Sequence, residues 1–244
     1  MKLNCDLGES FGAWQKGDDQ AIMPLIDLAN IACGFHASDP LTMQKTVKLA
    51  VKHKVTIGAH PSYPDLVGFG RRSFNYDHHE LVAIIQYQLG ALQGICANEK
   101  SQISYVKPHG ALYNDMMANE DIFRSVCQAI AQFDHTLPLM MQALPNTEKY
   151  QKIAAEFKLT LWFEAFADRA YQDNGLLVSR STAGAVIQDA QQVVNRCRTL
   201  LQSKQLTSVN GKPLALNVDT LCVHGDNPVA VELVQKLRAM LDEQ

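Results

Sequence analysis

Seven short apolar runs, most of them separated by longer amphipathic stretches, set the tightest limit on what this chain can fold into. The runs cover residues 2–6, 28–33, 56–60, 103–107, 137–141, 160–164 and 220–224, and their length and composition predict β-strands. Helical spacing of apolar residues fills 40–53, 78–98, 120–133, 148–157, 184–203 and 228–241, the first opened by the start signal Asp39-Pro40. Strand and helix alternate along the whole sequence, which predicts parallel strands joined by helical crossovers. A closed barrel and an open doubly wound sheet both satisfy that alternation. No Gly-x-Gly-x-x-Gly follows the first strand, so the dinucleotide-binding form of the open sheet lacks its marker. Asn210-Gly211, within 207–217, predicts a small hairpin on the outside of the fold, because both positions of such a turn call for positive φ.

The ends of the strands carry the chemistry. The first runs into Asp6 and then Glu9, and the second is followed by Cys33-Gly-Phe-His36. The third ends in His60-Pro-Ser-Tyr-Pro-Asp65, and the fourth in Lys107-Pro-His109 with Tyr113 and Asn114 just beyond. Glu164 closes another and leads to Asp168-Arg169, while the last reads His224-Gly-Asp226. In a parallel barrel all these positions meet at the carboxyl end, where the catalytic groups of such barrels lie, and this favours the barrel over the open sheet. Each residue taken singly has a structural explanation: a satisfied core histidine, an Asp6 that caps a turn, a Lys107 paired with Glu164 for stability alone. Repetition at corresponding strand ends is what argues for a shared site. His53, His78, His79 and His135 fall at helix ends or in turns and are expected on the surface. Cys5, Cys33 and Cys222 are expected to be small buried residues facing away from the site or lying in a turn. Arg71-Arg72 is either a solvated pair or an anion clamp on a loop.

Composition excludes several functions. A chain of 244 residues with 47% hydrophobic and 19% charged residues, and no Pro/Gly/Ser linker, predicts one large domain. A net charge of −3 with no basic cluster gives no reason to expect nucleic acid or an anionic membrane as partner. No apolar stretch has the length of a signal peptide core or a membrane span, so a cytoplasmic location is expected. The six cysteines include no Cys-x-x-Cys, which speaks against a zinc knuckle or a disulfide framework and fits free thiols in a reducing compartment.

The blocks Asn4-Cys-Asp-Leu-Gly-Glu-Ser10, Ala32-Cys-Gly-Phe-His-Ala-Ser-Asp-Pro40, Gly58-Ala-His-Pro-Ser-Tyr-Pro-Asp65, Lys107-Pro-His-Gly-Ala-Leu-Tyr113, Phe163-Glu-Ala-Phe-Ala-Asp-Arg169 and Val223-His-Gly-Asp226 together resemble the LamB/YcsF family, over nearly the whole chain and in order. One departure is Leu177-Val-Ser-Arg180, where the family pattern has a proline before the arginine. The resemblance implies a seven-stranded α/β barrel of the glycoside hydrolase/deacetylase type. It also implies the A subunit of an ATP-dependent 5-oxoprolinase, which opens 5-oxo-L-proline to L-glutamate jointly with subunits B and C.

Opening an unstrained lactam takes an activated carbonyl, a positioned water and an acid for the departing nitrogen. Crowded histidines and carboxylates suit that work because neighbours tune their proton affinity. Asp6, Glu9, His36, His60, Lys107, His109, Glu164, His224 and Asp226 are the catalytic candidates, with Arg169, Tyr113 and Asn114 as substrate-binding candidates. Lys107 or Arg169 suits a substrate carboxylate or a phosphate. The chain has no Gly-x-x-x-x-Gly-Lys-Ser/Thr loop, so ATP is expected to bind with the partner subunits. A divalent metal is left open, with Asp6, His60 and His109 as candidates, because no His-Glu-x-x-His or His-x-x-x-His spacing marks one. Two other readings fit the same residues: a stand-alone metal-dependent deacetylase or amidohydrolase, and a non-catalytic subunit that binds the substrate.

Overall fold

Parallel pairing closes the sheet on itself. In the computed structural model, which describes residues 1–224 and 230–243 (His224 through its backbone alone), the barrel strands are β1 (Lys2–Leu7), β2 (Leu28–Ala32), β3 (Thr56–His60), β4 (Tyr105–Val106), β5 (Leu139–Gln142), β6 (Leu161–Phe166) and β9 (Thr220–His224). They run β1-β2-β3-β4-β5-β6-β9, with β9 returning to pair with β1, and every neighbouring pair is parallel. A separate antiparallel pair, β7 (Gln205–Thr207) and β8 (Pro213–Ala215), forms the excursion expected around Asn210-Gly211. The barrel, not the open sheet, is therefore the observed fold.

Alternation along β1 shows how one strand serves two environments. Leu3, Cys5 and Leu7 face outward into the main core, between the strands and the surrounding helices. Asn4 and Asp6 face inward. Leu28, Tyr105 and Met140 form a second, small cluster with Trp162, filling the barrel interior near the amino ends of the strands. The Tyr105 and Trp162 ring centroids are 5.4 Å apart. Gly58 makes room for that plug: a Cβ there would lie 2.1 Å from the Tyr105 ring. Above the plug, Asn4 donates to Thr220 Oγ1 at 3.0 Å, Asn30 donates to Asn4 Oδ1 at 2.8 Å, and the Tyr105 hydroxyl donates to Asn30 Oδ1 at 2.7 Å.

The outer helices are α1 (Asp19–Ile22), α2 (Pro40–His53), α3 (His78–Asn98), α4 (Gly110–Ala118), α5 (Glu120–Asp134), α6 (Glu148–Glu156), α7 (Ala190–Ser203) and α8 (Ala230–Asp242). Asp39 caps α2 by accepting from the amides of Leu41 and Thr42, with Pro40 as its first residue. Asp77 and Glu80 close a capping box at the start of α3.

One helix is added to those expected and two expectations need correction. The segment after His109 is helical, because Ala111, Leu112, Tyr113, Met116 and Met117 bury one face of α4 despite its leading glycine. The helix expected from residue 184 begins only at Ala190. The backbone before it is already committed, with Ala170 N–H donating to Ala185 and Ile187 N–H donating to Asp168. In the hairpin only Gly211 has positive φ, since the five-residue connection closes through Ser208 N–H to Lys212 and does not need a two-residue turn.

The plug can be tested. Gly58→Ala must displace the Tyr105 ring, and overpacking of this kind costs about 1–3 kcal/mol in urea unfolding. Gly90→Ala lies within α3 with nothing inside 4 Å of the added carbon, and should instead gain about 0.5–1 kcal/mol. Equal effects of the two substitutions would contradict this packing.

Candidate active site

Strand register delivers three ionisable groups to one level of the barrel. Lys107 follows β4 directly, Asp6 is on β1, and Glu164 is on β6. The Lys107 ammonium lies 2.9 Å from Asp6 Oδ1 and 3.0 Å from Glu164 Oε2, with the lysine side chain only 2% exposed. The Asp6 contact is a hydrogen bond. The Glu164 contact has ion-pair distance but lacks hydrogen-bond alignment, and Glu164 Oε2 has no hydrogen-bond partner among the described residues. Burial by itself would lower the Lys107 pKa, but Asp6, Cys222 and Glu164 outweigh it and hold it well above the ordinary lysine value. Asn30 donates to Asp6 Oδ1 at 2.7 Å, and Tyr113 donates to Glu164 Oε1 at 2.8 Å. Burial first, and then the Glu164 charge, raise the Tyr113 pKa, so its hydroxyl stays a donor.

Beside this level lies a group of histidines. His36 and His109 stack face to face, with centroids 3.7 Å apart, and His60 stands edge-on to both. His60 Nδ1 donates to the Lys107 carbonyl at 2.7 Å and His109 Nε2 to the Phe69 carbonyl at 2.9 Å, since a carbonyl can only accept. Their other nitrogens, His60 Nε2 and His109 Nδ1, face each other at 2.9 Å. Glu9 Oε1 is 3.3 Å from His36 Nε2 and 3.6 Å from His109 Nδ1. Asp6 Oδ2 is 3.5 Å from His60 Nε2. Burial pushes the His36 and His109 pKa values well below the usual imidazole range, and neighbouring histidines add to the shift.

Loop backbone fixes these rings. Gly70 and Gly110 both have positive φ. A Cβ on Gly70 would meet His109 and His36 at 2.8 Å, and one on Gly110 would lie 2.4 Å from the Gly70 carbonyl oxygen. Ala111 N–H donates to that same oxygen at 2.8 Å, tying the start of α4 to the loop. Phe69 takes φ +55°, a strained position for a side-chain-bearing residue, and thereby presents its carbonyl to His109.

The resulting cavity of about 390 Å³ is lined by Asp6, Glu9, His60, Lys107, His109, Tyr113, Asn114 and Arg169, together with Phe69, Arg71, Gln142 and Arg180. His36 and Glu164 stand one layer behind, against His109 and Lys107. Asp226 and the His224 side chain lie outside the described residues. Arg169 is buried, donating to the carbonyls of Val178 and Ala185, and burial lowers its pKa to about 10, so it stays charged at neutral pH. Arg71 and Arg72 part company: Arg72 pairs with Asp65, while Arg71 reaches the cavity. His78, His79 and His135 are exposed and His53 is half-buried.

Cys222 corrects an expectation. It shares the parity of Thr220 and so faces the interior, its sulfur 3.2 Å from the Lys107 ammonium. Burial raises its pKa well above that of an ordinary thiol, which keeps it neutral. Sequence reasoning also passed over Asn30, Gln142 and Phe69. An asparagine in the middle of Leu28-Ala29-Asn30-Ile31-Ala32 was the available signal for the first; the Phe69 carbonyl had none.

Removing Lys107 leaves two buried carboxylates without their cation, so Lys107→Met should cost about 3–5 kcal/mol of stability. Glu164→Gln should be destabilising as well, and the double variant should lose less than the sum, with a coupling of about 1–3 kcal/mol. Additive losses in a double-mutant cycle would refute the pairing.

Known proteins are similar to this chain over its whole length. The LamB/YcsF family model matches residues 1–244. A protein from Pseudomonas fluorescens (strain Pf0-1), named as the A subunit of 5-oxoprolinase, is 54% identical over 244 residues, covering 100% of this chain and 98% of that one. One of the same name from Vibrio cholerae serotype O1 is 53% identical over 243 residues, with the same coverage. Among solved structures, a lactam utilization protein from Thermus thermophilus superposes with a TM-score of 0.91 at 38% identity, over 99% of this chain and 96% of the other. A solved structure from Enterococcus faecalis V583, with a TM-score of 0.58 and 12% identity over 99% of this chain and 93% of the other, shares the fold alone. The family model and these relatives span the full length of the sequence, and the chain belongs to the LamB/YcsF family.

Proposed function

We propose that this chain is the A subunit of an ATP-dependent 5-oxoprolinase, acting in the cytoplasm with subunits B and C. The observation that carries the reading is the cavity itself: a fixed ammonium held by two carboxylates at its floor, with histidines and a further carboxylate beside it. Its relatives' names point the same way. Among the described residues no helix is long and apolar enough to cross a membrane.

The net reaction consumes one ATP and two waters. One water adds its oxygen to the lactam carbonyl carbon, the ring C–N bond breaks, and the nitrogen takes a proton to become the amine of glutamate. The other water accounts for release of phosphate. Lys107 places a positive charge where negative charge develops on the carbonyl oxygen, and it does so in a buried setting where such a charge acts strongly. Asp6, Glu9, His60 and His109 surround the position from which water is oriented and a proton removed. Tyr113 holds Glu164 in place. Arg169 and Asn114, on the cavity wall, suit the substrate carboxylate.

ATP is the part this chain does not account for. It has no phosphate loop of the Gly-x-x-x-x-Gly-Lys-Ser/Thr kind, so nucleotide binding is assigned to the assembly with B and C. Trp14 and Val67 stand exposed on the loops after β1 and β3, at the carboxyl end of the barrel, where a partner that delivers an activated lactam would dock. The histidine cluster also suits a stand-alone metal-dependent amidohydrolase, which would hydrolyse amides without partners once given a divalent ion.

Reconstitution from separately purified subunits separates these readings. The chain alone should neither release phosphate from ATP nor form glutamate, and both should appear when B and C are added. His109→Ala and Asp6→Ala should lower glutamate formation by roughly 10²–10⁴-fold while the subunits still assemble. Conversion of 5-oxoproline by the chain alone would overturn the division of labour, and full activity of both variants would leave a non-catalytic role.

A further inference from the structure

We infer that Glu9, His36, His60 and His109 form a binding site for one divalent first-row metal ion of the zinc class. One ligand atom from each of the four lies within 4.8 Å of the others, and all four residues are buried. They come from the loops or ends of four consecutive strands, β1 to β4, which is why no local metal motif appears in the sequence.

The hydrogen bonding decides between a packed cluster and a ligand set. His60 and His109 each spend one N–H on a backbone carbonyl, the Lys107 and Phe69 oxygens respectively. With those N–H groups spent, the nitrogens left over when both rings are neutral, His60 Nε2 and His109 Nδ1, are acceptors, yet these atoms face each other at 2.9 Å. Two acceptors in contact repel unless a cation lies between or beside them. A shared proton would relieve that one contact. His36 Nε2 and Glu9 meet by a hydrogen bond at 3.3 Å, and a metal ion would join that pair to the two facing nitrogens. Backbone carbonyls that fix the ring tautomer are the usual outer partners of metal-bound histidine.

Three of the pair spacings match a coordination sphere, with His36, stacked parallel on His109, having to turn out of the stack to point its lone pair at the same ion. Ligands about 2.1 Å from an ion lie about 3.0 Å apart at right angles and about 3.4 Å apart at the tetrahedral angle. The contacts here are 2.9 Å for His60–His109, 3.3 Å for His36–Glu9 and 3.6 Å for His109–Glu9. Three imidazoles and one carboxylate suit zinc, cobalt or iron better than magnesium or calcium. Asp6, a metal candidate from sequence, is the outer neighbour: its Oδ1 holds Lys107 and Asn30, and its Oδ2 is 3.5 Å from His60. The inference shares Glu9, His60 and His109 with the lactam reading, and its test therefore reads metal binding rather than activity.

The test uses the purified chain, stripped with a chelator and titrated with Co²⁺ and then Zn²⁺. One Co²⁺ per chain should bind, with visible absorption bands from imidazole ligation that Zn²⁺ abolishes. His60→Ala and His109→Ala should weaken binding by roughly 100-fold and Glu9→Gln by at least roughly tenfold. His78→Ala, on the surface, should leave binding unchanged. If the alanine variants fail to fold by circular dichroism, X-ray absorption on the unaltered chain decides, by counting imidazoles around the metal. Fewer than two imidazoles, no stoichiometric binding, or equal binding by folded variants would overturn the site. A chain that binds no metal yet is active with B and C would overturn this inference and leave the proposed function standing.

Discussion

A lysine ammonium inside a closed barrel is the constraint on which the rest of the site depends. Lys107 is almost wholly removed from solvent, and a charge so placed is tolerable only with partners at hydrogen-bond distance. Asp6 and Glu164 supply them from β1 and β6, on either side of β9. The asparagines below extend the same logic: Asn4 and Asn30 link Thr220, Tyr105 and Asp6 into one hydrogen-bonded layer above the apolar plug. A one-residue slip of strand register would carry Asp6 or Glu164 to the outer face and leave the lysine without a counter-charge. Fold and site are thus coupled through one cation.

Above that layer the control passes from side-chain pairing to backbone. Gly70 and Gly110 adopt positive φ: a Cβ on Gly110 would strike the Gly70 carbonyl, and one on Gly70 would strike the side chains of His36 and His109, whose rings stack. The Phe69 carbonyl and the Lys107 carbonyl then fix which nitrogen of each ring carries a proton. A reaction that must orient water against a lactam benefits from such rigidity, because misplacement by an ångström is costly. The opposite wall is built differently, by Arg169 tying down the chain around 178 and 185.

Much of this was legible in the sequence, and for a physical reason. Strands that end in Asp6, His60, Lys107 and Glu164 announce themselves because a polar residue at the end of an apolar run has few other places to go in a parallel barrel. The Lys107–Glu164 pairing followed from the same consideration. What escaped was whatever depends on parity or on backbone atoms. Cys222 was expected to face away from the site until the register placed it beside Lys107, and Asn30, inside an apolar strand, drew no expectation. The helix α4 was not among the expected helices, because it is short and opens on Gly110 just after Pro108. Carbonyl groups that orient histidines have no residue code at all.

The claim at the centre of this account is that lactam opening takes place in the cavity over Lys107. A structure of the assembled enzyme, this chain with subunits B and C, bound to 5-oxoproline and a non-hydrolysable ATP analogue, tests it most directly. The account predicts the lactam in this cavity, its carbonyl oxygen toward the Lys107 ammonium and its carboxylate toward Arg169 or Asn114. A lactam seated wholly within a partner subunit, with this cavity holding only solvent, would contradict it.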